Sequence, residues 1–285
     1  MFALIGIVIV IASVVAGYIL SNGHMAVLFQ PYELLIILGS AVGTLLVANP
    51  LPVVIGIVKG MIGIVKGSPY TKTVYLDHLK MFNNLFSMAR KNGIVKLEPD
   101  VEEPDKSQLF AKYPSFSKNH HALYFVADTL RMAITGGVGH FDLDQMMELD
   151  MEVHHHEESL PIGALQTMAD ALPGLGIVAA VLGIVITMAS LGGPPEEIGH
   201  HVAAALVGTF LGILLCYGFF GPMAGMMTQI SAAEKEYYNF LRVALISFIK
   251  GAAPILAIEL ARRSIPHHNR PSFKDMEKAC KGGGA

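Results

Sequence analysis

The four longest apolar stretches of this 285-residue chain, 1–19, 34–58, 174–191 and 202–222, contain no Asp, Glu, Lys or Arg. A proton pump or proton-coupled transporter needs an ionisable group along its path. Glu33 precedes the second stretch and Asp170 the third, so neither offers a mid-membrane relay. That lack counts against a self-contained transporter: if ions cross, another subunit supplies the carboxylate. Cysteine is almost as scarce. Cys216 and Cys280 have no neighbours resembling a metal or redox motif, and two such cysteines do not make a secreted disulfide framework. No P-loop or other nucleotide-binding motif occurs, which points to a transmembrane gradient rather than ATP as the energy source. His154, His155 and His156 are adjacent, and adjacent histidines on a helix do not converge on one metal as an i,i+4 pair does. No enzyme activity, cofactor or nucleic-acid partner is expected.

What is present is apolar: 53% of the residues are hydrophobic and only 15% charged. Each stretch is close to the roughly 20 apolar residues that a bilayer crossing requires. The second carries Asn49, Pro50 and Pro52, so it kinks there or ends early. The first has no basic residues after Met1 and a poor cleavage site at 17–19, so it is expected to stay as a spanning helix. All 20 Lys and Arg lie at 59–131 or 235–281, and the connections 22–32 and 192–201 have none. By the basic-residue bias, the middle region, the tail and both termini are cytoplasmic.

The expected fold is an all-α membrane protein with four transmembrane helices, a largely helical cytoplasmic insertion and a helical cytoplasmic tail. Its divisions are 1–58 (transmembrane helices 1 and 2), 59–173 (cytoplasmic), 174–222 (transmembrane helices 3 and 4) and 223–285 (tail). Within the insertion, a Gly/Pro-punctuated opening at 60–69 leads to an exposed amphipathic helix at 74–92, ended by Gly93. A polar connection from 93 to 117, broken by Pro99, Pro104 and Pro114, holds the acidic run Glu98, Asp100, Glu102, Glu103 and Asp105. It reads either as a solvated loop or as an electrostatic docking surface. Helix resumes at 120–135, stops at Gly136-Gly137, restarts near Asp142 and breaks at Pro161, with a short helix leading into the membrane near Pro173. The tail holds a helix at 224–249, after which Pro254, Pro266 and Gly282-Gly283-Gly284 limit regular structure and leave the last dozen residues mobile.

Small residues recur at packing intervals: Gly39 and Gly43; Gly176, Ala180 and Gly183; Ala204, Gly208 and Gly212. Thr209 is one of few polar residues in the fourth stretch, and Pro173 and Pro222 mark the start of the third and the end of the fourth.

Residues 205–214 (ALVGTFLGIL), followed by Pro222, and 172–183 (LPGLGIVAAVLG) resemble the fourth and third helices of the flagellar motor stator A-subunits, the MotA family. Gly17-Tyr18 and 30–34 (QPYEL) fit the same family, and the resemblance covers nearly the whole chain. It implies a subunit that forms an ion channel with a B-subunit and turns proton flow into torque on the rotor, in the bacterial inner membrane. It implies a homo-pentamer around a B-subunit dimer whose Asp accepts the ion, and a rotor switch protein as second partner. Arg90 and Glu98 match rotor-contact positions; Pro173 and Pro222 match prolines that couple ion passage to movement. Sodium-driven relatives pair a threonine at the place of Ala180 with the one matched by Thr209, and a methyl group offers no such oxygen. The proton is therefore the expected coupling ion. The alternatives are a sodium-driven stator and an energy-coupling subunit of an outer-membrane import system.

Overall fold

The computed structural model describes residues 2–189, 192 and 194–281, with Phe2 and Glu197 described by backbone alone. The end of the third apolar stretch at 190–191 and Gly282-Gly283-Gly284 lie outside the described residues. Among the described residues every regular element is helical. In chain order these are α1 (Phe2–Leu20), α2 (Met25–Leu28), α3 (Pro31–Ala48), α4 (Leu51–Lys66), α5 (Lys72–Asn92), α6 (Glu98–Glu102), α7 (Gln108–Ala111), α8 (Pro114–Ser117), α9 (His120–Thr135), α10 (His140–Ala189), α11 (Pro195–Leu215), α12 (Gly221–Ile249), α13 (Pro254–Ser264) and α14 (Phe273–Lys281). Among the described residues four helical segments are long and apolar enough to cross a membrane: Ala3–Leu20, Met25–Ala48 and parts of His140–Ala189 and Ile198–Ile249. The chain divides into two compact units, Met1–Gly67 with Glu157–Ile230, and Ser68–His156 with Ser231–Ala285.

The first unit contains the apolar segments. None of the 3–20 window is buried within the chain, and Ile5, Val8 and Ile9 stand exposed. Side chains of this kind need lipid or neighbouring subunits around them. The second apolar stretch ends early rather than kinking. Asn49 is extended and its side chain donates to the Leu45 carbonyl, because a residue before proline is driven out of the helical region. Pro52 then opens α4 within its first turn, where no donor is missed. Gly60 and Gly63 lie inside α4, correcting the punctuated opening read at 60–69; the chain leaves the helix at Gly67, at φ 77°. Gly56 and Gly60 let α4 approach Pro161 and Met227, burying Ile57 and Ile64.

Pro161 does not break the helix as expected: α10 runs 50 residues through both Pro161 and Pro173. Each proline removes one backbone donor, but the ladder around it is held by tertiary packing. At Pro161 the ring finds its room against Gly56, where an added Cβ would come within 2.6 Å.

The second unit is built around α5. Thr71 caps its start, accepting from the Val74 amide, and Gly93 ends it at φ 85°. Rather than an exposed amphipathic helix, α5 buries Tyr75, Leu79, Met81, Phe82, Leu85 and Phe86 under α13 and α14. Phe86 stacks on Phe248 of α12 at 4.3 Å. The 93–117 connection is a string of short helical turns, not a loop, because Leu97, Val101, Phe110 and Phe116 are fully or almost fully buried anchors. The last dozen residues are not all mobile: Pro254 starts α13 rather than limiting it, and α14 buries Met276 completely.

His78 is buried, and its Nε2 lies 3.2 Å from Ser115 Oγ. Burial holds its imidazole down at about 4. The folded unit therefore binds fewer protons than the unfolded chain, so His78's contribution is complete above about 6.5 and lost as pH falls towards 4. Replacing His78 by leucine should flatten the acid side of the thermal-unfolding profile, measured by circular dichroism between those limits. An unchanged profile would remove His78 from the acid response.

Candidate functional site

Glycine determines the first candidate region. On α10 and α11, a Cβ at Gly212 would lie 2.5 Å from the Leu172 carbonyl, and one at Gly176 2.9 Å from the Gly208 carbonyl. Gly183 meets Ala205 in the same way. The two backbones touch along this line because side chains are missing there, which gives close van der Waals contact in lipid. By contrast, a Cβ at Gly39 or Gly43 meets nothing within 4 Å among the described residues.

α3 brings a carboxylate to this contact. Glu33 is 7% exposed, and its Oε2 would lie 2.8 Å from a Cβ on Gly208, with the Ala180 amide nitrogen 3.4 Å from the same point. Oε2 has no hydrogen-bond partner among the described residues. Glu33 does not precede the second helix, as the hydropathy alone suggests: α3 starts at Pro31 and encloses it. The signal is present in the sequence: proline favours the first helical turn, which places Glu33 two residues further in, inside the helix.

Ala180 and Thr209 are both half-buried, and Thr209 follows the Gly208 that meets Glu33 and Ala180. Pro173 is half-buried inside α10, next to the Leu172 that touches Gly212. Pro222 is exposed in the first turn of α12 and follows a π-helical turn, Cys216–Phe220, closed by the Gly221 amide donating to the Cys216 carbonyl. Leu172 and Cys216 share one apolar cluster, with Phe220 packed against it. Prolines were read here as helix boundaries; what sequence reasoning missed is the π turn, a feature common at functional sites.

The second region lies in the other unit. Arg90 is exposed in the last turn of α5, and Glu98 is exposed as the first residue of α6. Among the described residues neither is in an ion pair. The rest of the acidic run is engaged. Asp100 accepts from Ser107 at 2.5 Å, Glu102 from Arg131 at 2.9 Å, Glu103 from Lys106 at 3.0 Å and Asp105 from Tyr124 at 2.7 Å. Arg131 also reaches the Val101 carbonyl at 2.6 Å and Asp128, tying α6 to α9. Its distance in sequence from the acidic run hid it. Glu148, in the acidic part of α10, pairs with Arg242 at 3.3 Å.

Residues 4–93 match the profile of the motility protein A N-terminal domain, and residues 118–239 that of the MotA/TolQ/ExbB proton channel family. Motility protein A of Salmonella typhimurium is 38% identical over 98% of this chain and 94% of its own length. Chemotaxis protein LafT of Vibrio parahaemolyticus is 35% identical over 96% of each. Among solved structures, the C. jejuni MotAB structure aligns with a TM-score of 0.77 at 19% identity, over 95% of this chain and 98% of that one. The flagellar MotAB stator complex from Bacillus subtilis aligns at 0.73 and 22%, over 97% and 98%. At these identities the structures establish the fold.

Close-packed apolar helices and the channel-family match define the class: a multi-pass subunit of a proton channel in the inner membrane, with the proton as coupling ion. More particularly, the chain belongs to the motility protein A family. It is a flagellar motor stator A-subunit, not an enzyme. The full-length motility-protein matches decide against the import-system alternative.

Proposed function

We propose that five copies of this chain surround the transmembrane helices of two B-subunits, and that an Asp of the B-subunit accepts the proton. Protonation changes that carboxylate's charge and hydrogen bonding, and the surrounding helices shift register in response. The lining each copy presents contains Ala180 and Thr209 of the α10–α11 contact. Ala180 supplies no side-chain oxygen for sodium, which favours the proton. Glu33, buried beside Gly208 and the Ala180 amide, makes the shell less charge-free than its hydropathy suggests. Pro173 and Pro222 act as coupling points: each lacks the backbone donor that would lock its turn, one beside the α10–α11 contact and the other after the π turn.

Arg90 and Glu98 dock on the rotor switch protein. The observation that carries this reading is their freedom: they stand exposed and unpaired while the neighbouring acids are engaged inside the unit. Both termini and the second unit face the cytoplasm, as the placement of the 20 basic residues indicates.

Charge reversal tests the docking surface. Exposed ion pairs contribute about 0–1 kcal/mol each. Arg90→Glu or Glu98→Lys alone should therefore lower stall torque partly, and the double variant should lower it further, with the protein level in the membrane unchanged. A double variant with wild-type torque would remove these residues from the rotor contact.

A further inference from the structure

The second apolar stretch of the sequence runs to 58, yet the spanning helix α3 ends at Ala48. The apolar character that continues past Asn49 and Pro50 belongs to α4, and no bilayer crossing uses it. At 16 residues α4 falls short of the roughly 20 that a crossing needs. Only Asn49 and Pro50 separate it from α3, so it starts at the edge of the membrane core.

Around its axis α4 divides into three sectors. One is buried in its own unit: Ile57 and Ile64 share a cluster with Leu165, Ala224 and Met227. The second is apolar and open. Leu51, Ile55, Val58 and Ile62, at i, i+4, i+7 and i+11, are 65%, 45%, 49% and 58% exposed, outside the packing that buries Ile57. The third sector borders the second and carries Lys59 and Lys66 at i and i+7, both exposed. Among the described residues neither is in an ion pair. They are the first two basic residues of the chain.

We infer that α4 is a lipid-binding helix at the membrane interface, with its open apolar sector among the acyl chains and Lys59 and Lys66 on the phosphate headgroups of anionic phospholipids. An apolar face bordered by lysines is the pattern of a helix lying in the interface plane. Because the two sectors adjoin, the lysine stems run along apolar surface while the ammonium groups reach headgroup level. A second copy of the chain meeting this face with its own α4 would add two cations and no anion, since α4 contains no Asp or Glu. A lipid phosphate supplies the missing charge. The site needs only the membrane embedding of the first unit; neither the rotor nor the carboxylate of the B-subunit enters it.

The chain has no tryptophan, so Ile62→Trp places a single reporter in the open sector. The full-length chain, in complex with the B-subunit, is reconstituted in mixed bilayers of phosphatidylcholine and phosphatidylglycerol, with bromine on the acyl chains of one lipid or the other. Bromine quenches the reporter on contact, and the signal is the difference from the complex carrying the unsubstituted chain. Each lysine near an anionic surface strengthens the attraction roughly fivefold. Brominated phosphatidylglycerol should therefore compete for the reporter roughly fivefold to 25-fold better than brominated phosphatidylcholine, and raised salt should shrink that preference. Replacing both lysines, Lys59→Gln with Lys66→Gln, should abolish the preference and leave quenching by brominated phosphatidylcholine unchanged. A reporter quenched by neither lipid, because another chain or water covers the sector, would overturn the inference. Equal competition by the two lipids in the chain that keeps both lysines would overturn it too, and decides the matter even if the double variant fails to assemble. A preference that survives replacement of the lysines would equally overturn it.

Discussion

Valine at position 212 should abolish motor rotation and lower the stability of the first unit by about 3 kcal/mol or more, the upper end of what overpacking costs. Even the first added carbon would sit 2.5 Å from the Leu172 carbonyl and 2.9 Å from the Gly176 Cα. Both obstacles are backbone, so no side-chain rotamer relieves the clash; α10 and α11 must separate. Separation disturbs Glu33, Ala180 and the turn at Pro173 together, since all are set by the same contact. Gly39→Val is the contrasting case. A Cβ there meets nothing within 4 Å among the described residues, so the variant should leave the fold intact. Detergent-resistant folding and swimming speed of the two variants measure this. A Gly212→Val chain that folds and swims normally would disprove the close contact.

Arg131→Ala should have the next largest effect, through a residue outside both the Arg90 and Glu98 pair and the α10–α11 contact. Its guanidinium is 34% exposed and holds Glu102, Asp128 and the Val101 carbonyl at once. Solvent screening makes the ion pairs weak, and the bond to the backbone carbonyl contributes about 1 kcal/mol. That is enough to loosen a five-residue helix with little internal support of its own. Cleavage within 98–106 by an added protease should accelerate about fivefold, the effect of about 1 kcal/mol, and stall torque should fall although Arg90 and Glu98 are intact. Arg131→Lys should not rescue, because one ammonium cannot reproduce the three-way fork. Equal cleavage rates in wild type and Arg131→Ala would remove the brace from the account.

Elements whose ends carry their own signals were legible in the sequence. Helix α9 runs from the Asn119 cap to Gly136, and α5 ends at Gly93, as capping chemistry predicts. Position in the fold was less legible. Gly39 and Gly43 have the same spacing as Gly208 and Gly212, yet among the described residues a Cβ on the second pair meets another helix within 4 Å and one on the first pair does not. Proline was read as a stop at 161 and 254, whereas its effect depends on what packs around it and on its place in the turn: Pro161 fits against Gly56, and Pro254 starts α13. The 93–117 segment reads as polar because its buried anchors are few and separated by charges. Among the candidate site residues, Arg90 and Glu98 are exposed. Glu33 and the Arg131 brace join residues far apart in the chain, which spacing along a sequence cannot bring together.

The chain couples proton flow to rotation. The direct measurement is swimming speed of a motile host lacking its own stators, expressing this chain with its B-subunit, while the proton and sodium driving forces are varied separately. Speed should follow the proton gradient and be indifferent to sodium removal. Speed that follows sodium, or absence of rotation from a correctly assembled complex, would contradict it.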